Sequence, residues 1–99
     1  MESNGSKIEQ VILEIISLLE YGEEDYWLSY FKHMRQQLKS SNASYEVIKS
    51  LSMIFKGGMG SFSDLVLHKN GIPLIEENNK LDSLKDDLYE YCEETLKKN

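Results

Sequence analysis

The sequence predicts a mainly α fold: three N-terminal helices, a glycine-rich turn with a short β-hairpin, and a C-terminal helix that closes one bundle-like domain over residues 1–99. Three observations carry that prediction. Apolar residues recur at three- and four-residue steps along most of the chain. That period breaks once, at Gly57-Gly58-Met59-Gly60, where three glycines in four residues let the backbone reverse without steric cost. Asn70-Gly71, the favoured pair of a two-residue type I′ turn, then sits between two short extended runs.

The first helix is read from about Lys7 to Tyr21, on Ile8, Val11, Ile12, Ile15, Ile16 and Leu19. Ser6 and Glu9 have capping-box spacing ahead of it, and Gly22 ends it. Leu13 falls off the main stripe and is available to solvent or a partner. Glu23-Glu24-Asp25 opens a second helix, where acids favour the positive end of the dipole. Trp27, Tyr30, Phe31, Met34 and Leu38 form its apolar face, and Lys32, Arg35 and Lys39 share another. Ser40-Ser41-Asn42 breaks the pattern, and a third helix runs from Ser44 to Lys56 with Val47, Ile48, Leu51, Ile54 and Phe55 inward. Loops this short join antiparallel neighbours.

The turn at Asn70-Gly71 sets Lys69 opposite Ile72, His68 opposite Pro73, Leu67 opposite Leu74 and Val66 opposite Ile75. Proline is tolerated there because its position does not donate to the partner strand, and it blunts the outer edge. Asn79 is expected to cap the last helix, Lys80 to about Lys97, which buries Leu81, Leu84, Leu88, Tyr91, Cys92 and Thr95.

Composition narrows the function classes. The single cysteine, Cys92, offers no internal bridge and no zinc spacing, and reads as a small core residue. The N-terminus lacks the basic-then-apolar pattern of a signal peptide, and the longest apolar run is too short to span a bilayer, so a soluble cytoplasmic protein is expected. The net charge of −6 is unevenly spread, with residues 26–58 basic between two acidic ends. An acidic chain is a poor nucleic-acid binder and a better match for a basic protein.

From Gly57 to Leu67 the chain reads Gly-Gly-Met-Gly-Ser-Phe-Ser-Asp-Leu-Val-Leu. This stretch resembles a family of small bacterial proteins of uncharacterised function that share a Gly-Gly-Met-Gly-Ser-Phe-x-Asp-Leu segment between an N-terminal helical part and a C-terminal helix. The resemblance implies a toxin-immunity association and an antitoxin-like binding role. It brings no known chemistry with it.

The residues themselves point the same way. Gly57, Gly58 and Gly60 lack a Walker lysine and a preceding strand, so they read as a structural turn, with Asp64, Ser61 and Ser63 closing it through backbone amides and Asn70 and Gly71 turning the hairpin. His33 and His68 have no ligand at metal spacing, and neither a metal nor a cofactor is predicted. Asp82, Asp86, Glu90 and Glu94 recur every four residues on the last helix, with Asp87 and Glu93 beside them. Three stacked like-charge pairs cost the helix roughly 1 kcal/mol in all. A solvated face, or compensation by Lys32, Arg35 and Lys39, accounts for them without a partner; a basic partner gives them a use. Glu23, Glu24 and Asp25 form a second acidic patch beside Tyr26 and Trp27, and Trp27 falls on the core stripe. The expected function is a non-enzymatic immunity protein that covers a basic, nuclease-type toxin domain with its acidic face. Two other readings stay open: a homodimer formed through the hairpin or Leu13, and an enzyme built on Ser61, Asp64 and His68.

Overall fold

Four helices and one hairpin follow each other in the predicted order, in a computed structural model that describes residues 4–39, 44–56 and 61–97. The helices are α1 (Asn4–Tyr21), α2 (Asp25–Lys39), α3 (Ser44–Met53) and α4 (Ile75–Lys97). A single 3-10 turn, Phe62–Asp64, precedes strands β1 (His68–Lys69) and β2 (Ile72–Pro73). The glycine turn expected at Gly57, Gly58 and Gly60 lies outside the described residues. Among the described residues, no helix is long and apolar enough to cross a membrane.

The central element is α1, which packs on α2 along one side and on α4 along another, while α3 bridges α2 and α4. Ile8, Ile12, Ile15 and Leu19 are wholly buried, as their spacing predicts, and meet Phe31, Leu51, Phe62, Leu81 and Leu88 in one hydrophobic cluster. Trp27 packs against that cluster, its ring centroid 5.1 Å from that of Phe62. Its predicted place on the core side therefore holds. Tyr26, stacked edge-on against Trp27 at 5.2 Å, stays outside.

Helix α1 starts a turn earlier than expected, so Ser6 lies inside it and cannot act as the leading half of a capping box with Glu9. Apart from glycine, residues outside the apolar stripe cost a helix only tenths of a kcal/mol each, roughly, which lets the periodic run extend backwards. The other end departs from expectation more instructively. Glu24 N–H donates to the Leu19 carbonyl at 3.1 Å and Glu23 N–H to Glu20 at 3.3 Å, the bond pattern of a Schellman motif. The left-handed residue is Glu23, at φ 59°, and not Gly22.

Gly22 is there for space. A Cβ at that position would stand 2.9 Å from Leu67 Cδ2 and 3.3 Å from Leu67 Cβ, so the missing side chain is what lets the strand region seat on the end of α1. Overpacking costs about 1–3 kcal/mol, whereas replacing glycine gains only about 0.4–1 from the unfolded chain. Gly22→Ala should therefore lose about 1 kcal/mol. Glu23→Gly, relieving the left-handed strain, should gain a similar amount. Urea unfolding of both variants checks the pair of opposite signs.

In α3 the helix closes at Met53, three residues before the expected Lys56. Ile54 and Phe55 continue in a turn and remain half-buried, and Phe62 N–H donates to the Ile54 carbonyl at 3.0 Å, tying the next segment to this end. The hairpin has the predicted register, His68 with Pro73 and Lys69 with Ile72. Asn70 at φ 54° and Gly71 at φ 77° supply the positive angles that a type I′ turn requires. The pairing extends to Leu67 and Leu74 through a 3.0 Å backbone bond and stops there, because Ile75 opens α4.

Helix α4 thus begins five residues ahead of the expected Lys80, and Asn79 is an exposed helical residue and not its cap. Glu76 and Glu77 in the first turn favour this earlier start through the dipole. Its neighbour Asn78 has an unforeseen role. The Asn78 side-chain amide accepts from Leu67 N–H at 2.6 Å and donates to the Leu67 carbonyl at 3.0 Å, as a neighbouring strand would. Leu67 is fully buried, and this clamp satisfies its peptide groups.

Cys92 is buried in the core, as its position predicts. Burial first, then the nearby Glu93 carboxylate, pushes its thiol from 9.0 up to about 12; burial likewise lifts the Tyr30 hydroxyl from 10.0 to about 12, with Cys92 and Tyr26 adding to it. Both groups are acids whose folded values are raised, so they contribute stability that is complete below the unfolded values and lost as pH climbs to about 12. Unfolding free energy should fall above pH 9. In Cys92→Ala the slope should be shallower by about 1.4 kcal/mol per pH unit, measurable by urea titrations across the alkaline range.

Candidate functional site

The acidic ladder lies on the outer side of α4. Leu81, Leu84, Leu88 and Cys92 fill the inward stripe, so 3.6-residue geometry turns Asp82, Asp86, Asp87, Glu90 and Glu94 outward, and all five are exposed. Glu93 is different. It is half-buried, accepts a hydrogen bond from Ser52 Oγ at 3.3 Å, and takes a second from Tyr89, whose hydroxyl is held above its ordinary value by that carboxylate. Glu93 is therefore tied to Ser52 of α3 and to Tyr89, and is only partly open to the outer face.

Of the two readings that need no partner, compensation by α2 is not found among the described residues. Among the described residues two ion pairs form, Lys32 with Glu20 at 4.0 Å and Lys85 with Asp82 at 3.7 Å. Lys32, Arg35 and Lys39 stand instead over α1, beside Leu13 and Ile16, and α2 packs chiefly on α1 and α3 and not on α4. Asp86, Asp87, Glu90 and Glu94 keep their charge unpaired within that set.

Two depressions flank Tyr89 on this face. One, of about 370 Å³, is lined by Phe55, Lys56, Ser63, Asp82, Lys85, Asp86 and Tyr89. The other, of about 540 Å³, is lined by Tyr89, Glu90, Glu93, Glu94 and Lys97. Tyr89 itself leans edge-on against Phe55 with ring centroids 5.4 Å apart. Carboxylates beside aromatic faces suit a guanidinium or ammonium, by charge and by cation–π attraction.

The floor of the first depression contains a residue that sequence reading does not single out. The Lys85 side chain is only 8% exposed, donates to the carbonyls of Leu65 at 2.8 Å and Ser63 at 3.2 Å, and passes 5.5 Å from the Phe62 ring centroid. Burial lowers its pKa below the ordinary 10.5, against the opposing pull of Asp82, Asp64 and Asp86. A signal was present: Lys85 interrupts the apolar stripe four residues after Leu81 and three before Leu88. Charge at a core position marks a group with a dedicated partner, here the carbonyls of the 3-10 segment.

The remaining predicted residues disperse. Glu23, Glu24 and Asp25 form the α1–α2 corner, where Glu23 occupies the left-handed turn and the Glu24 carbonyl accepts from Leu28 N–H at 2.9 Å. Asp64 is exposed and its side chain bonds no backbone amide among the described residues; the Ser61 and Ser63 hydroxyls bond each other at 2.7 Å, and Ser61 makes no side-chain cap. The amides of the glycine turn that these side chains are expected to close lie outside the described residues, and within them Lys85 holds the segment from its carbonyl side. The His68 ring bonds the Val66 carbonyl at 3.1 Å, and no hydrogen bond joins Ser61, Asp64 and His68. His33 is exposed on α2. No group of three or more His, Cys, Asp or Glu among the described residues is placed to hold a metal ion.

The fold and this face define a small helical domain with a hairpin insert and a carboxylate-bearing last helix. The chain belongs to a family described as a domain of unknown function, DUF6966, which matches residues 20–75. That span runs from the last turn of α1 to the first residue of α4 and includes α2, α3 and the hairpin, while the acidic ladder lies beyond it. No curated protein and no solved structure matches the chain.

Proposed function

We propose that the protein is an immunity protein that neutralises a bacterial toxin by covering a basic, nuclease-type domain with the outer face of α4. The observation that carries this reading is that Asp86, Asp87, Glu90 and Glu94, on one 23-residue helix, form no ion pair among the described residues. Such a line of carboxylates can take the place of substrate phosphates in a cationic cleft, and it speeds encounter and rejects acidic partners. Tyr89 and Phe55 offer the aromatic surface that anchors an interface core. In this reading the protein acts in the cytoplasm, as a binder and not as a catalyst.

The test needs a basic, nuclease-type toxin domain, sought in the reading frames next to this one. Asp86→Lys with Glu90→Lys should weaken binding about tenfold or more and flatten its dependence on salt. Association rates that match the parent's at both low and high salt would sink the reading. A second reading, a homodimer formed through the hairpin, is favoured by Ile72 and Ile75, which are 66% and 72% exposed at that end. Sedimentation at micromolar concentration separates the two.

A further inference from the structure

The cations of α2 converge on a groove with no part in the reading of α4. Lys32, Arg35, Gln36 and Lys39 follow each other at i, i+3, i+4 and i+7, so they form one wall along the helix. Leu13 and Ile16 of α1 lie opposite, and together the six enclose about 370 Å³. Leu13 is half-buried and off the stripe that fills the core, so its outer surface belongs to the groove.

Two features make this a site for an anion with an apolar body. The first is Arg35, a half-buried side chain that lines the groove and whose Nε, shielded from water, has no hydrogen-bond partner among the described residues. The part of a guanidinium that solvent reaches takes a carboxylate oxygen better than any other acceptor. The second is charge. Lys32 has one exposed carboxylate, Glu20, at 4.0 Å, a pair too solvated to cancel it, and neither Arg35 nor Lys39 has an ion pair among the described residues. A protein of net charge −6 thus displays a local concentration of three cations over an apolar floor.

We propose that this groove binds a medium-chain fatty acid, with the carboxylate on Arg35 between Lys32 and Lys39 and the alkyl chain over Leu13 and Ile16. The depression, about 370 Å³ and open to solvent on one side, has room for a short alkyl chain, and decanoate is a suitable probe. One head group at one wall and one narrow apolar floor fit a single-headed amphiphile.

The experiment is a titration of the full chain with decanoate, kept below micelle formation, following the Leu13 and Ile16 methyl resonances. Decanoate should shift both methyls saturably, and decanol, which keeps the chain but lacks the charge, should bind about tenfold more weakly or worse. Arg35→Gln should weaken decanoate by a similar factor, and Lys39→Gln, at an exposed position, should weaken it with folding undisturbed. Methyls that do not respond, equal affinity for decanol, or undiminished binding in both variants would each overturn the assignment. The acidic face of α4 is untouched by these changes, so either proposal can fail without the other.

Discussion

Phe62→Ala is expected to cost about 3–5 kcal/mol, the largest single loss in the molecule. Phe62 is wholly buried although it comes from a three-residue 3-10 turn, and its ring centroid lies 4.8 Å from that of Phe31, 5.1 Å from Trp27 and 5.8 Å from Phe55. It therefore fills the junction of α2, the end of α3 and α4. Each such ring pair contributes about 0.5–1.5 kcal/mol beyond the area it hides, so truncation removes a hub and leaves a void. Against a total stability of about 5–15 kcal/mol, the loss takes roughly a fifth or more of the margin. Thermal melts should show Tm lower by roughly 15–30 °C, and Phe62→Leu should fall between the parent and the alanine variant. An alanine variant that melts within a few degrees of the parent would mean that the segment does not insert as described.

Lys85→Met should be the next most costly change, at about 2–3 kcal/mol. Hydrogen bonds to a charged donor contribute about 1.5–3 kcal/mol each, and Lys85 makes two, to the Leu65 and Ser63 carbonyls. Part of that loss is offset, because methionine needs no desolvation of an ammonium. Half-buried Leu65 and exposed Ser63 also recover some water. The pH dependence separates these contributions. Because burial lowers the Lys85 pKa from 10.5, the native state carries a penalty for holding the proton that is fully present at neutral pH and fades as pH rises toward the unfolded value. Methionine has no such relief to gain. Urea unfolding of Lys85→Met should accordingly show stability falling more steeply with alkaline pH than in the parent. Lys85→Arg should not rescue the loss, since a planar fork does not replace a compact ammonium beneath two carbonyls.

What could be read from residues alone follows the range of the interactions concerned. The four helices announce themselves through apolar spacing, and the hairpin register follows from Asn70-Gly71, because both signals are local. The start of α4 was hidden because Leu74 and Ile75 extend an apolar run that reads equally well as strand, and the helix wins by placing Glu76 and Glu77 in its first turn. Gly22 was legible as a helix end, but its reason, the approach of Leu67, depends on a residue 45 positions away. The same holds for Asn78 and Lys85, whose partners are backbone groups 11 to 22 residues distant and carry no sequence signature. The acidic face was fully legible as a helical ladder. That α2 sends it no ion pair among the described residues was not, because it depends on α2 packing chiefly on α1 and α3, with its cations over α1.

That central placement of α1 also has a bearing on synthesis. Its α4-facing stripe must wait for about 50 intervening residues to leave the ribosome, several seconds at ordinary rates of elongation. Over that interval Ile8, Ile12 and Ile15 can be sheltered only by the elements already made, so the nascent chain depends on the α1–α2 pair to stay out of aggregates until its last helix arrives.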